Sequence, residues 1–325
     1  MAHGVLIYAE HRDGELTNGT WEAIAAGQAI AAAAGTDARA VIIGKDVAAS
    51  AARIAAKALV EVVTVEHDKL ATYTPDGFTA ALAGAITSID PEWVVFSHTY
   101  HVRDFAPRVA ARLDRVLIGD VIKFKNEGGI VLVRQIFQGK INADVTCATA
   151  APRLISFQAG AYRTDAAADG ASAAPVRSLE VSLDGVEIRW TAEERFKEVK
   201  GAVDLTAAPR IVSVGRGIKG EENLGLVRDL AEALDAELAA SRPICDNGWL
   251  PMDRQIGSSG QTVAPQLYMA VGISGAIQHV VGMKNANTIV AINKDKEAPI
   301  FDLADFGVVG DLFEVVPALI KKLKE

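Results

Sequence analysis

The sequence predicts an α/β protein: an N-terminal parallel α/β domain with an added antiparallel strand section, then a C-terminal doubly wound domain. Three observations carry this. Short apolar runs alternate with helical stretches as far as Leu113, apolar residues tend to alternate singly between Val121 and Trp190, and the first pattern restarts at Arg210. Continuous apolar runs suit strands covered on both faces by helices, whereas alternation suits strands with one wet face. A length of 325 residues fits two cores better than one, so domains over 1–205 and 206–325 are expected.

The elements follow in order. Gly4–Ala9 is an apolar strand running into a charged loop, His11–Glu15. A helix over Thr20–Ala34 is stopped by Gly35, Arg39–Ile43 is a strand ended by Gly44, and Val47–Ala58 is helical. Val60–Val65 is β-branched and strand-like, Pro75–Ser88 helical, Trp93–Ser97 a strand and Arg103–Leu113 a helix. IVLVRQIF and LEVSLDGVEIRW alternate, with turns at Glu127-Gly128-Gly129 and Asp184-Gly185, which is antiparallel grammar. Thr164–Ala174 reads as an exposed loop, and the charged stretch between Thr191 and Pro209 (EERFKEVKG) as the boundary and a hinge. The second unit then reads strand Arg210–Val214, helix Glu221–Leu234, strand Glu237–Ser241, strand Leu267–Ile273, strands Thr288–Ile292 and Phe306–Val309, and helix Asp311–Leu323.

Composition excludes several classes. Half the residues are hydrophobic and 23% are charged, enough apolar surface to fold. Lys plus Arg number 33 against 41 Asp plus Glu, a net charge of −8, so no basic stripe displaces counterions from a nucleic acid. No run approaches the roughly 18 apolar residues of a membrane helix. The opening MAHGVLIYAEHRDGE lacks the basic start of a secretory signal. Cys147 and Cys245 are far apart and form no CxxC, which points to a reducing compartment and no metal cage.

The sharpest motif is Gly215-Arg216-Gly217-Ile218-Lys219-Gly220, a GxGxxG placed after a strand and before a helix. Its glycines let backbone amides approach a pyrophosphate, and a helix N-terminus would add partial positive charge. A tight turn without a ligand gives the same spacing. The acid that holds a nicotinamide ribose is missing, since Ser241-Arg242 stands at the next strand end. Gly272-Ile273-Ser274-Gly275-Ala276-Ile277-Gln278-His279 suggests a second anion site with Ser274 as helix cap, or merely a capped helix. Together with Gln255–Gln261 (QIGSSGQ) and Asn293-Lys294-Asp295, these loops should gather at one sheet edge. His98 and His101 have metal-like spacing without further ligands, Ser258-Ser259 lies in no GxSxG, and Cys245 lacks a His partner. No nucleophile or acid pair announces bond breaking, so the chain looks built for a cofactor that carries its own chemistry.

From Ser241 to Phe313 the sequence resembles the α subunit of electron transfer flavoprotein, most specifically in GISGAIQH followed by IVAINKD. The Gly215–Gly217 turn and the opening LIYAEHRDGEL agree, so the resemblance covers the whole chain, strongly past residue 210. It implies a C-terminal domain binding FAD and an N-terminal domain packing on a β subunit, which itself holds AMP or a second FAD. It implies Arg216 and Ser241 at the phosphates and adenosine end, and Arg242 against the isoalloxazine ring. Ile256, Gly257, Ser258 and Ser259 would line the flavin, with the Ser259 hydroxyl at the reactive ring nitrogen. Ser274, Gly275, Ala276, Ile277, Gln278 and His279 would follow the ribityl and pyrophosphate part, His279 reaching the pyrimidine carbonyl. Asn293, Asp311 and Leu312 would close the adenosine side. No metal is implied.

The resemblance further implies a redox carrier without a bond-breaking site of its own. It would take electrons from acyl-CoA-type dehydrogenases and pass them to a membrane quinone oxidoreductase, in a bacterial cytoplasm or a mitochondrial matrix. A bifurcating form using NADH and a second FAD in the β subunit would share nearly all these residues. A non-redox nucleotide-binding module would share the glycine turns but has no need of Arg242 and His279, and an NAD-dependent dehydrogenase is disfavoured by the missing ribose acid. Arg242, Ser259 and His279 are the residues placed to tune the flavin, a fixed cation and donors favouring added negative charge on the ring. Two departures stand out. Ser259 replaces a threonine frequent in the family, and Ser156-Phe157-Gln158-Ala159-Gly160 replaces an Arg-Pro-Gly segment.

Overall fold

The computed structural model describes residues 4–12, 14–137, 139–193 and 204–325. Apart from the hairpin tip at 137–140, residues up to 193 form one compact unit, and residues from 204 onward belong to a second. The charged segment expected to be a hinge lies mostly outside the described residues.

The first unit contains β1 (Val5–Ala9), α1 (Asn18–Ala34), β2 (Ala38–Gly44), α2 (Ala48–Ile54), β3 (Val62–Glu66), α3 (Pro75–Ile89), β4 (Trp93–Ser97) and α4 (Tyr100–Leu113). It continues with β5 (Leu117–Asn126), β6 (Ile130–Ile136), β7 (Ile141–Val145), β8 (Arg153–Phe157) and β9 (Val176–Ser178). The sheet order is β9-β3-β2-β1-β4-β8-β5-β6-β7. β1 is buried along its whole length, and its side chains alternate between two cores, Val5, Ile7 and Ala9 on one face and Leu6 and Tyr8 on the other. Alanine and glycine on α1 let that helix lie close to the sheet, and a Cβ on Gly27 would run into the Ile7 side chain. Thr74 and Thr99 cap α3 and α4, accepting from the Gly77 and Val102 amides.

Two sequence expectations need correction here. The antiparallel grammar holds for β5-β6-β7, but β8 is parallel to both its neighbours and is inserted between β4 and β5. LEVSLDGVEIRW forms no strand: past the bond from Leu179 N to Thr64 O the chain joins no ladder, and it turns at Asp184-Gly185. Its alternation records one-sided burial, because Leu179, Val181, Leu183 and Val186 pack on the core beside Leu70 and Phe78 while their neighbours face solvent. His98 bonds Ser156 Oγ through Nδ1 at 2.8 Å, and His101 packs among Tyr73, Phe78 and Phe105 inside α4. Among the described residues no cluster that could hold a metal forms, and no helix is long and apolar enough to cross a membrane.

Glu22 on α1 carries a testable charge. Loss of water around its carboxyl outweighs the hydrogen bonds from the Gly160 amide and Ser97, and pushes its pKa up to about 7 from 4.5. The fold therefore holds the proton more tightly than the unfolded chain does. Stability from this group is complete below pH 4.5 and is lost as the pH rises towards 7. Glu22→Gln is expected to flatten that decline, read as the urea midpoint at pH 5 and pH 7.5; an unchanged slope would remove Glu22 as its source.

The second unit contains β10 (Arg210–Val214), α5 (Leu224–Ala233), β11 (Glu237–Ala240), α6 (Arg242–Asp246), β12 (Leu267–Val271), α7 (Ile277–Val280), β13 (Thr288–Asn293), β14 (Phe306–Val309) and α8 (Leu312–Leu323). All five strands are parallel, in the order β11-β10-β12-β13-β14. Val212, Val214, Met269 and Val271 face Val227, Leu230 and Val316 of α5 and α8. Ile211, Tyr268, Ala270 and Ala291 face the other way, onto Leu205, Ile256, Val263, Met283 and Ile300 from turns and loops. The strand order reverses between β10 and β12, the place where an open parallel sheet leaves a crevice at its carboxyl edge.

Candidate functional site at the carboxyl edge of the second sheet

Arg216 follows β10, Ser241 and Arg242 follow β11, Ser274–His279 follows β12, Asn293 ends β13, and Asp311 and Leu312 follow β14. Since all five strands run the same way, one edge of the sheet receives every one of these positions. The crevice between the first and third loops is closed by backbone against backbone. The Gly217 amide donates to Gly272 O at 3.0 Å, and a Cβ on Gly217 would lie 2.7 Å from Gly272 Cα. Gly272 itself has φ 64, and its missing Cβ would meet Gly217 Cα at 2.9 Å. Beside this pair opens a cleft of about 380 Å³, lined by Arg216, Gly217, Lys219, Gly272, Asn293, Lys294, Asp311 and Leu312. Three cations over a glycine floor suit a phosphate-bearing ligand.

The loop from Gln255 to Gln261 joins this edge through its backbone. Ile256 N donates to Ala240 O at 3.0 Å and Ser258 N to Gln278 O at 2.7 Å, tying the loop to β11 on one side and to α7 on the other. Arg242 opens α6, and its Nε donates to Asp246 Oδ2 at 3.1 Å while two-thirds of the side chain stays exposed. Ser258 and Ser259 are exposed; Ser241 is buried. His279 is buried at the floor of the loop. Ile256 O lies 3.1 Å from its Nδ1, which must therefore be the protonated nitrogen, and Nε2 at 2.8 Å accepts from the Tyr268 hydroxyl. Burial pushes this imidazole down to about 4, against the opposing pull of the Ile256 carbonyl.

Several local expectations change. GxGxxG does not run directly into an α-helix, because 3-10 turns at Arg216–Ile218 and Glu221–Asn223 intervene and α5 starts at Leu224. Side-chain cations at Arg216 and Lys219, with no helix end behind them, supply the positive charge at the crevice. Ser274 is no helix cap: Gly275 adds a turn, so the cap position falls on Ala276, which has no side-chain oxygen. Ile256 puts its side chain into the core, which leaves its backbone for a ligand, while the buried Leu312 sets Cδ2 against Gly272 beside the cleft. Asn293 spends its amide on Ile273 O at 2.9 Å, holding the β12 loop, and Asp311 caps α8 through the Phe313 amide.

Lys219, Lys294 and Gln255 lie inside the loops that the sequence groups at this edge but are not singled out there as binding residues, and Tyr268 is not singled out at all. Lys219 stood inside the glycine motif, where its φ of 71 turns the chain and its Nζ lies 4.7 Å from the Phe313 ring centroid. Lys294 is adjacent to Asn293 in sequence, and that adjacency was the available signal. Gln255 and Tyr268 are buried, and nothing local marks a buried polar residue as part of a site.

Two family models match the chain: the electron transfer flavoprotein domain over residues 5–184 and the electron transfer flavoprotein FAD-binding domain over residues 204–284. The chain is 42% identical over 332 residues to the electron transfer flavoprotein subunit alpha of Bacillus subtilis (strain 168), covering 100% of this chain and 98% of that protein. It is 38% identical over 323 residues to the protein of the same name from Syntrophomonas wolfei, covering 99% of each. The acryloyl-CoA reductase electron transfer subunit beta of Anaerotignum propionicum is 32% identical over 350 residues, with 99% of this chain and 95% of that protein covered. With both units matched and whole-length relatives at this identity, the chain belongs to the electron transfer flavoprotein α-subunit family.

Proposed function

We propose that the chain holds one FAD along the carboxyl edge of its second sheet and serves as the flavin-bearing subunit of a heterodimeric one-electron carrier. The observation that carries this is the convergence there of Arg216, Lys219 and Lys294 around a glycine-floored cleft, with Arg242 and the exposed Ser258-Ser259 loop on the same edge. These residues fit the group. The cleft would take the phosphates and adenosine end beside Ser241, Asn293, Asp311 and Leu312. The Ser274–Gln278 turn would follow the linker, and Arg242 with the Ile256–Ser259 loop would meet the ring. Bound FAD supplies the capacity to take up and release electrons singly.

The chain's own residues would then set the terms. Arg242 places its guanidinium charge beside the ring and favours electron gain. His279 acts through the loop it fixes, since both ring nitrogens are engaged within the chain. The donor role that the resemblance implies for it would require the Nδ1 proton to leave Ile256 O, or a proton on Nε2 in place of the Tyr268 contact. A β subunit carrying AMP, acyl-CoA-type dehydrogenases as donors and a membrane quinone oxidoreductase as acceptor complete the reading, in a cytoplasm or a mitochondrial matrix.

The test is co-expression with the partner subunit, followed by absorption spectroscopy and stepwise dithionite reduction. One flavin per heterodimer, reduced in two resolved one-electron steps, is expected. Two flavins would replace this reading by the bifurcating form, and a colourless protein that takes up no FAD would end it in favour of a nucleotide-binding module. Arg242→Ala is expected to lower the first-electron potential by roughly 65–130 mV, the scale of one charge-assisted hydrogen bond. An unchanged midpoint in a redox titration would refute the role of Arg242.

A further inference from the structure

Gln255 stands at the root of the loop that ends at Gln261, and its residue surface is 0% exposed. Its backbone is fixed at both ends: its N donates to Met252 O at 3.1 Å, and its O accepts from Gln261 N at 2.7 Å. The buried carboxamide is only half used. Nε2 donates to Ser259 Oγ at 2.9 Å, while Oε1 has no partner. An apolar side chain of the same length would fill this volume without stranding an acceptor, so the amide calls for a use.

Ser259 provides one. It is exposed, and the bond from Gln255 reaches it from the inside of the loop. A hydroxyl has one proton and two lone pairs. With a lone pair taken up by Nε2–H, the proton turns away from Gln255 and out of the loop. Serine also lacks the methyl that restricts threonine's χ1, so an internal bond is what holds its rotamer.

We infer that Gln255 is a positioning residue: its buried carboxamide fixes the Ser259 hydroxyl as a hydrogen-bond donor towards the ligand. This rests on the reading that the loop lines the flavin. An acceptor atom of the ring then meets a donor already oriented, without the cost of ordering it on binding.

The test uses the FAD-loaded heterodimer with Gln255→Glu, Gln255→Met, Ser259→Ala and the double variant Gln255→Met with Ser259→Ala. An ionised carboxylate only accepts, so Gln255→Glu, read at a pH high enough to ionise this buried group, pulls the serine proton inward. It should shift the flavin absorption bands and first midpoint potential in the same direction as Ser259→Ala, although the serine is still present. Gln255→Met should weaken FAD binding roughly threefold to tenfold. If Gln255 acts through Ser259, the double variant should match Ser259→Ala in spectrum and potential.

Additive shifts, or wild-type spectrum and potential in Gln255→Glu beside a clear change in Ser259→Ala, would overturn the inference. If Ser259→Ala binds FAD with spectrum and potential both unmoved, the flavin-lining reading of the loop falls and takes the inference with it. Should the buried carboxylate prevent folding, glutamine-selective ¹⁵N labelling of the flavin-free chain replaces that arm. The Gln255 side-chain amide protons should exchange slowly and lose that protection in Ser259→Ala; equal exchange in both proteins would refute the bond.

Discussion

Gly215→Ala is expected to lower the stability of the second unit by about 2–3 kcal/mol, the cost of forcing a methyl into packed backbone. On a domain of this size that corresponds to a Tm roughly 8–15 °C lower. The added Cβ would fall on Gly272 O and within 2.8 Å of Ile273 Cα, neither of which can swing aside as a long side chain would. To make room, the β10 and β12 loops must part, and the Gly217-to-Gly272 hydrogen bond is lost with them. The heterodimer should therefore purify with little FAD. Gly225→Ala is the matched control, because it lies in α5 with nothing within 4 Å of the new methyl and should be neutral or slightly stabilising. Equal melting temperatures for Gly215→Ala and wild type would show that the crevice is looser than this contact requires.

The second large effect is a pH dependence centred on His279. Its folded pKa of about 4 lies below the ordinary 6.5, so the unfolded chain binds the proton more readily than the fold does. Stability from the neutral ring is complete above pH 6.5 and is lost as the pH falls towards 4. A difference of this size amounts to about 3 kcal/mol. In acid the incoming proton must go to Nε2, which turns an acceptor for the Tyr268 hydroxyl into a second donor. His279→Gln should be less stable at pH 7.5 but should lose much less between pH 7 and 4.5, as read by urea titration of the second unit. Glu22 acts with the opposite sign over an overlapping range, so the two substitutions separate what the wild-type profile mixes. A slope in His279→Gln equal to that of wild type would assign the acid sensitivity elsewhere.

Local features were legible in the amino-acid order alone. Trp93–Ser97 and Arg210–Val214 form strands with the bounds their apolar runs give, because such runs exclude solvent whatever their partners are, and Phe306–Val309 keeps its expected bounds although its side chains stay exposed. The order of strand and helix in the second unit was legible in the same way. Parallel strands joined by crossovers must bring their following loops to one edge, so the sequence alone groups Arg216, Arg242, Ser274 and Asn293.

Features that depend on distant partners emerge only once the chain is folded. Nothing in RLISF states that it will enter the sheet between β4 and β5, since either edge of a strand offers the same backbone donors and acceptors. Alternation in residues 179–190 records which side chains are buried and not what buries them, so a strap over a core and a strand in a sheet read alike. The same limit governed the site. His279 stood out as a polar group in a loop, but its tautomer and charge follow from Ile256 O and Tyr268, brought to it by the fold from 23 and 11 residues away. A residue's chemistry is set by the atoms around it, and for a buried group most of those atoms come from elsewhere in the chain.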